Sequence, residues 1–280
     1  MNNQLENIRK WLILGGIAFF TVFVFAVMMI NNSPKSDRKL FGQKDQPVDP
    51  EIEMILVQGG TFWMGCTAEQ GKDCEKEDVP SEVQNEIPVH EVTVSSFYIA
   101  KFVITQAQWR AVMGDNPSHF KGDSLPVEQV SWNDTQKFLR RLNSATGKQY
   151  RLPTEEEWEF AARGGDKSDG YKYSGSNNVD DVAWYEINSG GSAHPVGTKQ
   201  PNELGIYDMS GNVWEWCEDI VDYYPGHQYH GISAAPSWKD RRLRGGSWER
   251  PSVRSRVSER GGVKPDFRWK AIGFRVALSL

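Results

Sequence analysis

From Trp11 to Ile30 the chain runs for twenty residues without a charged side chain, and nothing else in it restricts the choice of fold so severely. A helix over this run is long enough to cross a bilayer core of about 30 Å. The run exceeds the apolar core of a secretory signal peptide, and the following Ile30-Asn31-Asn32-Ser33-Pro34 offers no small-x-small cleavage site. The expectation is an uncleaved transmembrane signal anchor over residues 11–30 behind a short tail over 1–10; a cleaved signal peptide is the alternative. Arg9 and Lys10 precede the run while Lys35, Arg38 and Lys39 follow it, so the positive-inside rule does not choose an orientation.

Residues 31–50 are polar, with Pro34, Pro47 and Pro50, and read as a linker; a folded domain is expected over 51–280. With 39% hydrophobic and 25% charged residues the chain can bury one large core. Its 11 Trp, 13 Phe and 9 Tyr beside 26 Gly and 14 Pro suit loop-heavy packing around large rings rather than a helical bundle. A net charge of -5 argues against a nucleic-acid role.

Met54-Ile55-Leu56-Val57 followed by Gly59 to Gly65 reads as two short strands about a glycine turn, and His90 to Val94 and Phe97 to Ile99 as further strands. Thr105, Ser131 and Thr154 each place a capping oxygen at a helix start, the first and third with Gln108 and Glu157 completing a capping box. The helices expected are Gln106 to Met113, Trp132 to Leu142 and Glu155 to Arg163. In the third, Trp158, Ala161 and Ala162 share a face, which leaves Glu155, Glu156 and Glu159 on the exposed side. Beyond Gly165 only short strands are expected, such as Arg254 to Val257 and Gly273 to Leu278, giving an α+β domain with much irregular structure.

Cys66 and Cys74 share one polar loop and are close enough in sequence to bridge, which would imply an oxidising compartment. Two unpaired loop thiols fit the spacing equally. Cys217 reads as a small buried hydrophobe. Arg241, Arg242, Arg244, Arg250, Arg254, Arg256, Arg260 and Arg268 concentrate positive charge near the C-terminus. They form either a groove for an acidic partner or, as preferred here, internal pairs with Glu and Asp together with a solvated face. His227 and His230 have metal-compatible spacing but no evident third ligand.

Six segments in order carry a resemblance: Gly59-Gly60-Thr61-Phe62-Trp63-Met64-Gly65, Pro126 to Trp132, Arg151 to Glu159, Gly205 to Trp216, Arg244-Gly245-Gly246-Ser247-Trp248 and Gly273-Phe274-Arg275. Together they resemble the formylglycine-generating enzyme family, the sulfatase-modifying factors. The resemblance implies a C-type-lectin-like α+β fold outside the cytoplasm, hence a cytoplasmic N-terminus and a periplasmic or cell-surface domain. Active members use a cysteine pair that binds copper(I) to oxidise a client cysteine in a Cys-x-Pro-x-Arg segment to formylglycine. The positions matching that pair are Arg250 and Ser255, and neither supplies the soft donor copper(I) needs, so copper is not expected.

The resemblance further implies a structural Ca²⁺ held by Asp208, Gly211, Val213 and Glu215, a set of hard oxygen donors. Without an ion, Asp208 would cap a turn and Glu215 would pair with an arginine. Asn188 is a candidate for a second calcium site. Ser247 and Trp214 match pocket-lining positions of catalytic members. The expected function is a non-catalytic module of the cell envelope, a pseudoenzyme that binds a protein or peptide partner or serves as a structural part. The alternative is a formylglycine-generating-type oxidase or another enzyme that modifies an envelope or secreted client.

Overall fold

The computed structural model describes residues 50–71, 84–226 and 239–280. The expected span over 11–30, Cys74, His227 and His230 lie outside the described residues. Among the described residues no helix is long and apolar enough to cross a membrane.

Strands β1 (Met54–Val57) and β2 (Gly60–Met64) follow each other in sequence but join different sheets. β2 pairs antiparallel with β3 (His90–Val94), while β1 pairs antiparallel with β4 (Phe97–Ala100), whose far side takes the C-terminal strand β9 (Ala277–Ser279). The change of sheet happens at Gly59, whose backbone N–H donates to Ser96 Oγ at 2.9 Å. A Cβ there would stand 2.5 Å from the Val94 carbonyl, so only glycine lets the chain pass. The third sheet has the order β7-β6-β5-β8, built from β7 (Arg260–Val263), β6 (Arg241–Arg244), β5 (Trp214–Ile220) and β8 (Ile272–Gly273).

Helices α1 (Gln106–Met113), α2 (Trp132–Thr146) and α3 (Glu155–Ala162) begin at Thr105, Ser131 and Thr154, as their caps require. All three starts are full capping boxes. At the second, the shorter Asp134 carboxylate takes the role of Glu or Gln, accepting the Ser131 N–H at 3.1 Å. α2 continues past Leu142 to Thr146 because nothing breaks it before Gly147, which adopts the left-handed conformation at φ 72°.

The buried face of α2 presents Phe138, Leu139 and Leu142. Phe138 stacks on Trp109 with ring centroids 5.3 Å apart, and Phe274 meets both rings edge-on. Trp214, Trp216 and Leu243 of the third sheet close this core. Complete burial of each such side chain contributes about 1.5–3 kcal/mol. A second core gathers Trp158 and Phe160 of α3 with Phe97, Ile99, Met209 and Cys217.

Two expectations are corrected. Ser252–Ser255 forms a turn of 3-10 helix in place of the strand expected at Arg254 to Val257, and the strand lies instead at β7. Glu155 and Glu159 are buried, the latter completely, and do not form an exposed face. Helical periodicity assigns a carboxylate to solvent; here arginines distant in sequence neutralise both carboxylates inside the protein.

Glu155 receives Arg260 in a fork, Nε at 2.7 Å and Nη2 at 2.8 Å, and lies 2.9 Å from Arg244 Nε and 3.2 Å from Arg242 Nε. Glu159 Oε1 accepts from Arg163 and from the Gly65 N–H at 2.9 Å, while its Oε2 accepts from Arg244. Burial opposes ionisation of both acids, yet the guanidiniums around them hold their carboxyls below the usual range. Arg256 and Arg254 form ion pairs with Glu259, and Arg256 also pairs with Glu86. Most of the C-terminal arginines are thus internal counter-charges.

Candidate functional site

A cavity of about 430 Å³ opens beside the third sheet. Its floor is Trp214 with Leu243 and Ile272, and its rim carries Phe267, Trp269 and Arg250. Trp214 is held by its backbone N–H, which donates to the Ala271 carbonyl at 2.8 Å. Gly261 of β7 lies over the indole, where a Cβ would come 3.3 Å from the ring, so a larger residue would press on the floor.

The rim loop is shaped by Gly245 and Gly246, at φ 96° and 74°. A Cβ on Gly246 would stand 2.3 Å from the Arg254 carbonyl, so this glycine is what lets the segment after it fold back to Ser255. Arg250 is exposed and lines the cavity. Its backbone is fixed at both ends, the N–H donating to the Ser247 carbonyl and the C=O accepting from the Glu186 N–H, each at 3.0 Å.

Of the four positions singled out from sequence, the structure brings Trp214 and Arg250 together at the cavity, while Ser247 and Ser255 do not line it. Both serines are fully buried, and neither hydroxyl has a hydrogen-bond partner among the described residues. Two cavity carboxylates went unnoticed in the sequence. Glu249 accepts the Trp269 indole N–H at 2.6 Å. Glu259 is pushed up to about 7 by burial and by neighbouring Glu86, against the pull of Arg254 and Arg256. The exposed Phe267 and Trp269 were legible only as aromatics in a charged tail segment.

The segment expected to hold calcium makes a tight turn. Asp208 and Asn212 both adopt φ 58°, and a Cβ on Gly211 would stand 2.3 Å from the Trp184 carbonyl. Asp208 Oδ2 accepts the Gly197 N–H at 2.7 Å, and burial pushes this carboxyl up to about 6. Glu215 is engaged by the arginine its alternative reading called for. Arg275 meets both its oxygens at 2.6 and 2.7 Å, and the Trp158 indole N–H adds a third bond at 2.8 Å. Val213 is fully buried. Asn188 spends its amide locally, donating to Asp180 Oδ1 and the Ala183 carbonyl. Among the described residues no three His, Cys, Asp or Glu side chains converge as a metal-holding group.

Cys66 is disulfide-bonded, and Cys217 is a free thiol with no exposure, whose ionisation burial opposes. Neither lines the cavity at Trp214.

The sulfatase-modifying factor enzyme 1-like domain matches residues 40–280, and the chain belongs to that family. The chaperone protein LppX of Paenibacillus barcinonensis is 34% identical over 270 residues, covering 76% of this chain and 86% of that protein. The inactive C-alpha-formylglycine-generating enzyme 2 of Mus musculus is 29% identical over 287 residues, covering 81% and 85%. The solved structure of Treponema denticola variable protein 1 superposes with a TM-score of 0.68 at 31% identity, covering 81% of this chain and 95% of that one. The mixed helix-and-sheet fold is therefore the family's own.

Proposed function

We propose that this chain is a membrane-anchored, extracytoplasmic module that grips a protein or peptide partner and oxidises no cysteine. The observation that carries this is the cavity itself. It keeps an aromatic floor at Trp214, while Arg250 and Ser255 stand where the family resemblance puts copper thiolates. Copper(I) needs soft donors. The thiols of the described residues offer none, one being bonded in a disulfide and the other buried. The relatives named a chaperone and an inactive enzyme support a binding role. Support for the location comes from the charge-free run Trp11 to Ile30 and from the disulfide at Cys66, which an oxidising compartment favours. A copper(I) titration against a chromophoric chelator tests the reading: the full-length chain is expected to withdraw no stoichiometric copper, and tight one-to-one uptake would contradict it.

Calcium would rest on Asp208 and on the carbonyls of Gly211 and Val213. A buried carboxylate without a full counter-charge suits a hard cation, whereas Glu215 is already matched by Arg275. Millimolar calcium added to EDTA-treated protein is expected to raise the melting midpoint. Saturation to a hundred times Kd would add about 2.7 kcal/mol. An identical midpoint in calcium and in EDTA would remove the ion from the account.

A further inference from the structure

We propose that the cavity at Trp214 takes an apolar side chain from a partner polypeptide whose flanking residues are acidic, a flanking carboxylate being met by Arg250. This deepens the binding reading above and rests on it.

The volume of about 430 Å³ lies toward the small end of the roughly 300–1,000 Å³ typical of ligand pockets, which suits one large side chain rather than a folded surface. Its walls are chiefly apolar, and Phe267 and Trp269 stand at the rim 42% and 43% exposed, their rings 6.3 Å apart and stacked. Exposed aromatics around an apolar depression mark a surface that gains by being covered.

Charge selects the occupant. Five charged residues line the cavity: Glu249, Arg250, Arg254, Glu259 and Arg260. Arg254 is paired with Glu259 at 2.6 Å and Arg260 with Glu155 at 2.7 Å. The Glu249 carboxylate accepts the Trp269 indole N–H, which fixes its direction and leaves its charge in place. The Arg250 guanidinium makes no ion pair or hydrogen bond with any described residue, although its backbone is pinned on both sides. An always-charged planar fork on a fixed backbone at the lip of an apolar hole is suited to a carboxylate and repels a basic segment. With Glu249 engaged by Trp269, the Arg250 fork is the group left to meet a partner, and an acidic-apolar segment is its match.

Three short fluorescein-labelled peptides built around Asp-Phe-Asp, Lys-Phe-Lys and Asp-Ser-Asp, titrated by anisotropy into the full-length chain, test this. Asp-Phe-Asp is expected to bind about tenfold more tightly than either of the others. Arg250→Glu is expected to reverse the order of the two Phe peptides while leaving the melting midpoint unchanged, since the side chain is exposed. Equal binding of the two Phe peptides, or an order unmoved by Arg250→Glu, would overturn the inference and leave a binding module without charge preference. Asp-Ser-Asp binding as well as Asp-Phe-Asp would overturn the role of the cavity, and no binding by any of them would overturn the proposal outright. Oxidation of a cysteine peptide, by contrast, would remove the non-catalytic reading without touching the charge preference.

Discussion

Replacing Arg244 by Met is expected to destabilise the domain by about 3–5 kcal/mol, enough to abolish folding in a domain of ordinary stability. Arg244 has no exposure, and its guanidinium serves Glu159, Glu155 and the carbonyls of Val257 and Glu259 together. Removing it leaves Glu159 with Arg163 and Glu155 with Arg260 and Arg242, so two buried carboxylates lose part of their neutralisation at once. The variant would be read by urea denaturation beside Arg244→Lys, which keeps the charge but cannot span both acids and should recover only part of the loss. The same network sets the acid limit. Glu155 and Glu159 are held below their ordinary value of 4.5 in the folded chain, so their contribution is full above that pH and fades as pH falls below it. An Arg244→Met midpoint within about 1 kcal/mol of the parent would show that the surrounding arginines suffice without it.

Arg275→Met is the second large loss, again about 3–5 kcal/mol. This side chain, fully buried, forks onto Glu215 and donates to the carbonyls of Ala100 and Tyr207 at 3.0 and 2.9 Å. It ties the C-terminal segment to the end of β4, to the turn before Asp208 and to β5. Glu215→Gln alone should also destabilise, by leaving Arg275 without its counter-charge. The double variant should lose less than the sum of the two, because each single change strands a buried charge that the other removes. Additive losses would mean that the carbonyl bonds, not the ion pair, carry the effect.

The helix starts were legible because a capping box is a local device: Thr105, Ser131 and Thr154 each act on a backbone N–H three residues on. The six ordered motifs made the family legible, and with it the sheet-and-helix class. What was hidden is non-local. The polarity of Glu155 and Glu159 pointed to solvent; Arg163 is one helical turn from Glu159, but the third sheet delivers Arg242, Arg244 and Arg260 from 85 to 105 residues away, and with them the burial becomes tolerable. The same limit applies to the cavity. Trp214 and Arg250 could be placed by motif, but Phe267 and Trp269 reach its rim through a loop with no local signature. Gly59 showed as a turn residue, yet its role as the crossing point between two sheets depends on Val94, far along the chain.

On the proposed reading, the family fold is kept for binding and its oxidation is gone. The most direct test is mass spectrometry of a Cys-x-Pro-x-Arg peptide incubated with the full-length chain, copper(I), oxygen and a thiol reductant, beside an active family member. The peptide mass is expected to stay unchanged with this chain and to shift to the aldehyde with the control. Aldehyde formed by this chain at a rate that depends on copper would contradict it.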